Sequence, residues 1–170
     1  ETLSTTFSKG VRDTIMEVKA DKYKAVYSDI FPKTKVKKGD AAMNLWSLQG
    51  GYNNYLATSP TGTATGFGAD LMIIDDLIKN KYEANNANIK DGQWNWFTGT
   101  MLSRLEEGGK IIIVMTRWAT DDLAGRIIEH AAEYGWTVCH INFKALQDDG
   151  TMLCPEILSK ASYESKRKAM

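Results

Sequence analysis

The sequence predicts an α/β fold built on a parallel sheet. Two uninterrupted apolar runs, Leu-Met-Ile-Ile at 71–74 and Ile-Ile-Ile-Val-Met at 111–115, each stop abruptly at polar residues. A run without alternation has the form of a strand buried on both faces. A weaker run of the same kind occupies 136–141. Between the runs, apolar residues recur at helical spacing. Strand, helix, strand, helix, strand in chain order implies parallel pairing through right-handed crossovers.

The individual elements follow from spacing and punctuation. Phe7, Val11, Ile15, Met16 and Val18 come after Ser4, Thr5 and Thr6, which predicts an opening amphipathic helix ending before Asp21. A lysine-rich loop is expected after Pro32, and 42–48 and 52–57 flank Gln49, Gly50 and Gly51 as a β-hairpin would. The Thr, Ser, Gly, Pro and Ala composition of 58–69 reads as a loop. Trp94, Phe97, Met101, Leu102 and Leu105 form a helical stripe that should end at Gly108 and Gly109. Leu123, Ile127, Ile128 and Ala131 form another, ending near Gly135. After Gly150 the chain reads as a connector leading into a helix. A start at Glu1 without methionine and a lysine-rich helical end suggest that both ends are cuts.

The 170 residues are 43% hydrophobic and 25% charged, which suits one globular domain with a sizeable core. Twenty-one basic residues balance twenty-one acidic ones, so any nucleic-acid contact must be local. Local candidates are Lys33, Lys35, Lys37 and Lys38, then Lys79 and Lys81, then Lys160, Lys166, Arg167 and Lys168; each group also reads as a solvated face. Cys139 and Cys154 have no metal-ligand spacing to each other or to His130 and His140, so a reduced, cytosolic protein is the default. No apolar stretch is long enough to span a bilayer, and no secretory leader pattern occurs.

In open parallel sheets ligands bind beyond the carboxyl ends of the strands, which singles out Asp75 and Asp76 after the first run and Thr116 and Arg117 after the second. Four apolar residues followed by two carboxylates is the form of the second nucleotide-binding motif of P-loop ATPases. There one acid holds Mg²⁺ and the next polarises the attacking water. The same residues also read as a solvated strand end and a turn cap. Thr116 and Arg117 place a hydroxyl and a cation within reach of the same crevice, or form a polar strand end with a surface ion pair. Asp121 and Asp122 most simply cap the helix beginning near Leu123; their sharper reading joins them to Asp75 and Asp76 as a two-metal nuclease site. Trp94, Trp96 and Phe97 suit base stacking less well than core packing.

Together, TGFGADLMIIDD at 65–76, GGKIIIVMTRW at 108–118 and TDDLAGR at 120–126 resemble, in order and spacing, the ATPase domain of the large terminase subunit of tailed bacteriophages. Residues 1–15 look like the helix after that domain's second strand, and LCPEILS at 153–159 resembles the start of the connector to its nuclease domain. The resemblance implies a three-layer, P-loop NTPase-like parallel sheet with helices on both faces. Residues 1–150 would belong to the ATPase domain and 151–170 to the connector. It assigns Asp75 to the Mg²⁺ site, Asp76 to catalysis through water, and Thr116 and Arg117 to coupling of ATP hydrolysis to DNA movement. It further implies packaging of double-stranded DNA in the cytoplasm of a bacterial host, with the portal protein, the small terminase subunit and a ring of copies as partners and with no membrane. A cleaving nuclease would reside in a separate domain.

The chain departs from that pattern in three ways. No G-x-x-x-x-G-K-[ST] stretch occurs, so the phosphate-cradling loop and its strand are expected to precede Glu1, and the chain alone should not hydrolyse ATP. Phe67 stands where many relatives carry an arginine. Asp76 is one methylene shorter than the glutamate usual in P-loop ATPases. A non-catalytic assembly or binding module with an ATPase-like sheet is the main reading from another class.

Overall fold

In the computed structural model, which describes residues 3–169 apart from positions 63 and 65, the opening helix lies where the spacing places it. Helix α1 spans Leu3–Met16 and stops before Asp21. Its buried contact is polar rather than apolar: Ser8 is fully buried, whereas Leu3, Phe7 and Val11 are exposed. Ser8 Oγ accepts from Trp46 Nε1 at 3.0 Å, and Arg12 donates to the carbonyl of Ala41. Replacing Ser8 by alanine would leave the buried indole N–H without its acceptor, so stability should fall by about 1–3 kcal/mol. An unchanged urea midpoint would show that this contact contributes nothing.

After α1 comes a single turn, α2, at Tyr27–Ile30. Asp29 accepts from Lys19 Nζ at 2.8 Å and from the Val26 N–H at 3.0 Å, and these two contacts, Lys19 first, hold its carboxyl below the ordinary aspartate range. Because the folded value is depressed, the stabilisation is complete above the ordinary value and is lost as pH falls through the lowered one.

Strands β1 (Val36–Ala41), β2 (Leu45–Leu48) and β3 (Tyr55–Leu56) form an antiparallel sheet in the order β1-β2-β3. The expected hairpin is β2 and β3, with Trp46 opposite Tyr55 and their rings stacked 4.9 Å apart. Part of the segment expected as a lysine-rich loop is instead the edge strand β1. Val36 and Ala41 are half-buried while Lys37 and Lys38 point to solvent, and lysines on an edge oppose further strand addition.

Strands β4 (Ala69–Asp75) and β5 (Leu105–Val114) pair in parallel, as the two apolar runs predict. The connection between them contains α3 (Lys81–Asn85) and α4 (Ala87–Trp96), then a π turn at Phe97–Met101 and a 3-10 turn at Leu102–Arg104. The helical path therefore ends before Gly108 and Gly109, which lie within β5. Between the pairs Ala69–Leu105 and Leu71–Lys110, β5 carries three more residues than β4, so the glycines mark a bulge rather than a helix stop. Gly108 takes a φ of 78°, open to glycine at no steric cost.

The two runs are not buried on both faces. Met72 and Ile74 are buried and Ile111 and Ile113 half-buried, whereas Leu71, Ile73, Ile112 and Val114 are exposed. The expected third strand is not found at 136–141, which has no regular structure, and among the described residues the parallel sheet has two strands. Its apolar residues are separated by Thr137, Cys139 and His140, so it lacks the continuous side-chain surface that the other two runs have.

The chain divides into two units, Glu1–Thr116 and Arg117–Met170. The second contains α5 (Leu123–His130) and α6 (Lys160–Ala169), which match the second stripe and the terminal helical pattern. Among the described residues no helix is long and apolar enough to cross a membrane.

Candidate acidic site at the sheet end

Parallel pairing brings the ends of β4 and β5 to one side. Asp75 lies opposite Val114, the Asp76 N–H donates to the Val114 carbonyl at 2.9 Å, and Thr116 follows two residues later. Asp75, Asp76 and Thr116 are all exposed. Three of the four predicted site residues thus share one end of the sheet in the first unit.

Asp76 has a φ of 41°, in the left-handed region that aspartate enters more readily than most side chains but still at a cost. The strand's simple alternation therefore ends at Asp75, and Asp76 is aimed by a turn instead. Beyond it, the Leu77 carbonyl accepts from Gln93 Nε2 at 3.0 Å, and Ile78 is fully buried. These contacts anchor the residues that follow the strained turn. Gln93 was missed by sequence reasoning; its one visible signal is a polar residue beside the apolar stripe of Trp94 and Phe97.

No protein-family model matches the chain, and no curated protein matches it. The residues themselves therefore carry the functional argument.

Arg117, the fourth predicted residue, opens the second unit, where its guanidinium is held locally. Nε donates to Asp122 Oδ2 at 2.9 Å, and Nη2 donates to the carbonyls of Ala119 and Thr120 at 3.1 Å each. Asp122 is fully buried and also accepts the N–H groups of Trp118, Ala119 and Gly125. It is the N-cap of α5, the simpler of the two roles considered for it. Gly125 is required here, since a Cβ would stand 1.9 Å from the Thr120 carbonyl oxygen and 2.6 Å from Arg117 Nη2. Sequence reasoning passed over Gly125; a glycine inside the first turn of an apolar helical stripe is the signal that could have found this close approach.

Among the described residues no three His, Cys, Asp or Glu side chains gather as a metal cage would need. Two exposed carboxylates do suit Mg²⁺ of the kind that takes one or two protein oxygens and completes its shell with water and phosphate. Of the segments carrying the terminase resemblance, Glu1, Thr2 and Thr65 lie outside the described residues; Phe67 is half-buried in the loop before β4.

Proposed function

We propose that this chain is part of an ATP-driven motor of the large-terminase kind, which packages double-stranded viral DNA into a procapsid. The observation that carries the reading is the parallel register of β4 and β5, which puts Asp75, Asp76 and Thr116 at one sheet end. Asp75 would hold Mg²⁺, which supplies charge neutralisation at the phosphates of bound ATP. Asp76 orients the attacking water, and Thr116 and Arg117 couple hydrolysis to DNA movement. Asp122 fixes one edge of the Arg117 guanidinium by its contact with Nε. In this reading the sheet is the remnant of a three-layer P-loop architecture, completed by a phosphate-binding segment outside these 170 residues. The portal protein, the small terminase subunit and further copies in a ring would be its partners, in the cytoplasm of a bacterial host.

The nuclease alternative built on four aspartates fares worse, because the buried carboxylate of Asp122 is already engaged by Arg117 and three backbone N–H groups. In a protein joining this chain to a phosphate-binding segment, Asp75→Asn should raise the Mg²⁺ concentration for half-maximal ATP hydrolysis at least about tenfold, since losing even a group that only orients a metal's ligands costs about 10–100-fold. An unaltered Mg²⁺ titration would remove Asp75 from the site. Nicking of plasmid DNA by the chain with Mn²⁺, abolished by Asp75→Asn, would favour the nuclease instead.

A further inference from the structure

We propose that Gln93, buried on α4, is a positioning residue for Asp76: its amide clamps the turn that aims the carboxylate, and so governs the rate of hydrolysis without touching nucleotide. This role rests on the motor reading, in which Asp76 orients the attacking water. The clamp itself belongs to the chain alone and can be measured without nucleotide.

Asp76 holds a φ of 41°. A side chain with a Cβ stays in that region only where its surroundings fix the chain on both sides of it. Before the turn, the Asp76 N–H donates to the Val114 carbonyl at 2.9 Å, within the fixed register of β4 against β5. After it, the Leu77 carbonyl accepts from Gln93 Nε2 at 3.0 Å, and Ile78 is fully buried. Ile78 is held by its side chain, whereas Gln93 grips the backbone of the residue directly after Asp76. That grip opposes relaxation of the turn at its nearest point.

The other end of the same amide shows that packing alone does not account for glutamine here. Gln93 is 8% exposed, and its Oε1 is buried with no hydrogen-bond partner among the described residues. A carbonyl is only an acceptor, so the amide nitrogen must face Leu77 and Oε1 must turn away. A buried amide satisfied at one end carries a desolvation cost that an apolar side chain of similar length avoids. Trp94 and Phe97, with rings 6.1 Å apart, already supply apolar packing from this segment. What glutamine adds is the donated bond to Leu77.

The test compares Gln93→Met, Asp76→Asn and the double variant in a protein joining this chain to a phosphate-binding segment. Methionine keeps the length of glutamine and removes both polar ends, so the unfolding midpoint should stay near that of the parent. Gln93→Met should lower kcat for ATP hydrolysis about 10–100-fold, the scale of a small misplacement of a reacting group. KM for ATP should stay within about twofold, because nucleotide binding is a separate task. In the Asp76→Asn background the same substitution should lower kcat no further, since Gln93 then has no carboxylate to position. A glutamine that only supported the fold would cost activity equally in both backgrounds. In the 170-residue chain, Gln93→Met should speed hydrogen exchange at the Asp76 amide severalfold, while the Ala57 amide, bonded to Asn44 in the other sheet, keeps its protection. Should Gln93→Met fail to fold, Gln93→Glu, which keeps the shape and exchanges the donor for an acceptor, carries the same comparison. An unchanged kcat beside a crippled Asp76→Asn, a loss confined to KM, additive losses in the double variant, or unchanged exchange at Asp76 would each overturn the role of Gln93 and leave the motor reading standing. Normal turnover in Asp76→Asn, or no hydrolysis by the joined parent, would remove the motor reading and this role with it.

Discussion

Replacing Asp122 by alanine should destabilise the second unit by about 2–4 kcal/mol, chiefly through backbone groups rather than through the ion pair. The carboxylate is fully buried and accepts from Gly125 through Oδ1 and from Trp118 and Ala119 through Oδ2. Truncation removes both acceptor oxygens, and with them all three backbone hydrogen bonds, and takes the cap from α5. The Arg117 side chain is 39% exposed, so solvent screens its charge and limits what the ion pair adds. Asp122→Asn keeps one acceptor oxygen and should lose roughly half as much. Chemical denaturation checks the totals, and amide exchange at Trp118, Ala119 and Gly125 checks the cause. If those three amides keep their protection in the alanine variant, the cap is not what holds this turn.

The site's position was legible because two signals coincide in the sequence: apolar runs that mark strands, and polar residues that end them on the same side of a parallel pair. Asp75, Asp76 and Thr116 could be placed together on that basis. Burial was not legible in the same way. Leu71 and Ile73 are as apolar as Met72 and Ile74, yet one pair is exposed and the other buried. A run of apolar residues records what a strand could bury, whereas what it does bury depends on which elements reach it. β1 was overlooked because Lys37 and Lys38 look like loop residues when their half-buried neighbours Val36 and Ala41 are not yet known to be paired. The glycines at 108 and 109 misled for a related reason, since a glycine that stops a helix and one that bulges a strand look identical in sequence. The Asp122 cap was legible because its signature is local, an aspartate just before an apolar helical stripe.

The left-handed turn at Asp76 was invisible in the sequence, and it separates a structural role for this residue from a catalytic one. With φ at 41°, glycine at this position would relieve the steric cost but would add freedom to the unfolded chain. Those effects oppose each other, so Asp76→Gly should fold with stability within about 1 kcal/mol of the parent. Asp76→Asn should change stability even less, because asparagine tolerates the same backbone region. Asp76→Val, branched at Cβ, should be the destabilised member of the series. Activity should rank differently. In a protein that joins this chain to a phosphate-binding segment, glycine and asparagine both lack the carboxylate to which the motor reading assigns the polarising of water, so on that reading each should retain nucleotide binding while hydrolysis falls about 10²–10⁴-fold. A residue that merely formed the turn would be replaced by glycine without loss. Normal turnover in Asp76→Gly, measured beside its unfolding curve, would therefore assign Asp76 to the turn alone and leave the acidic site without its catalytic group.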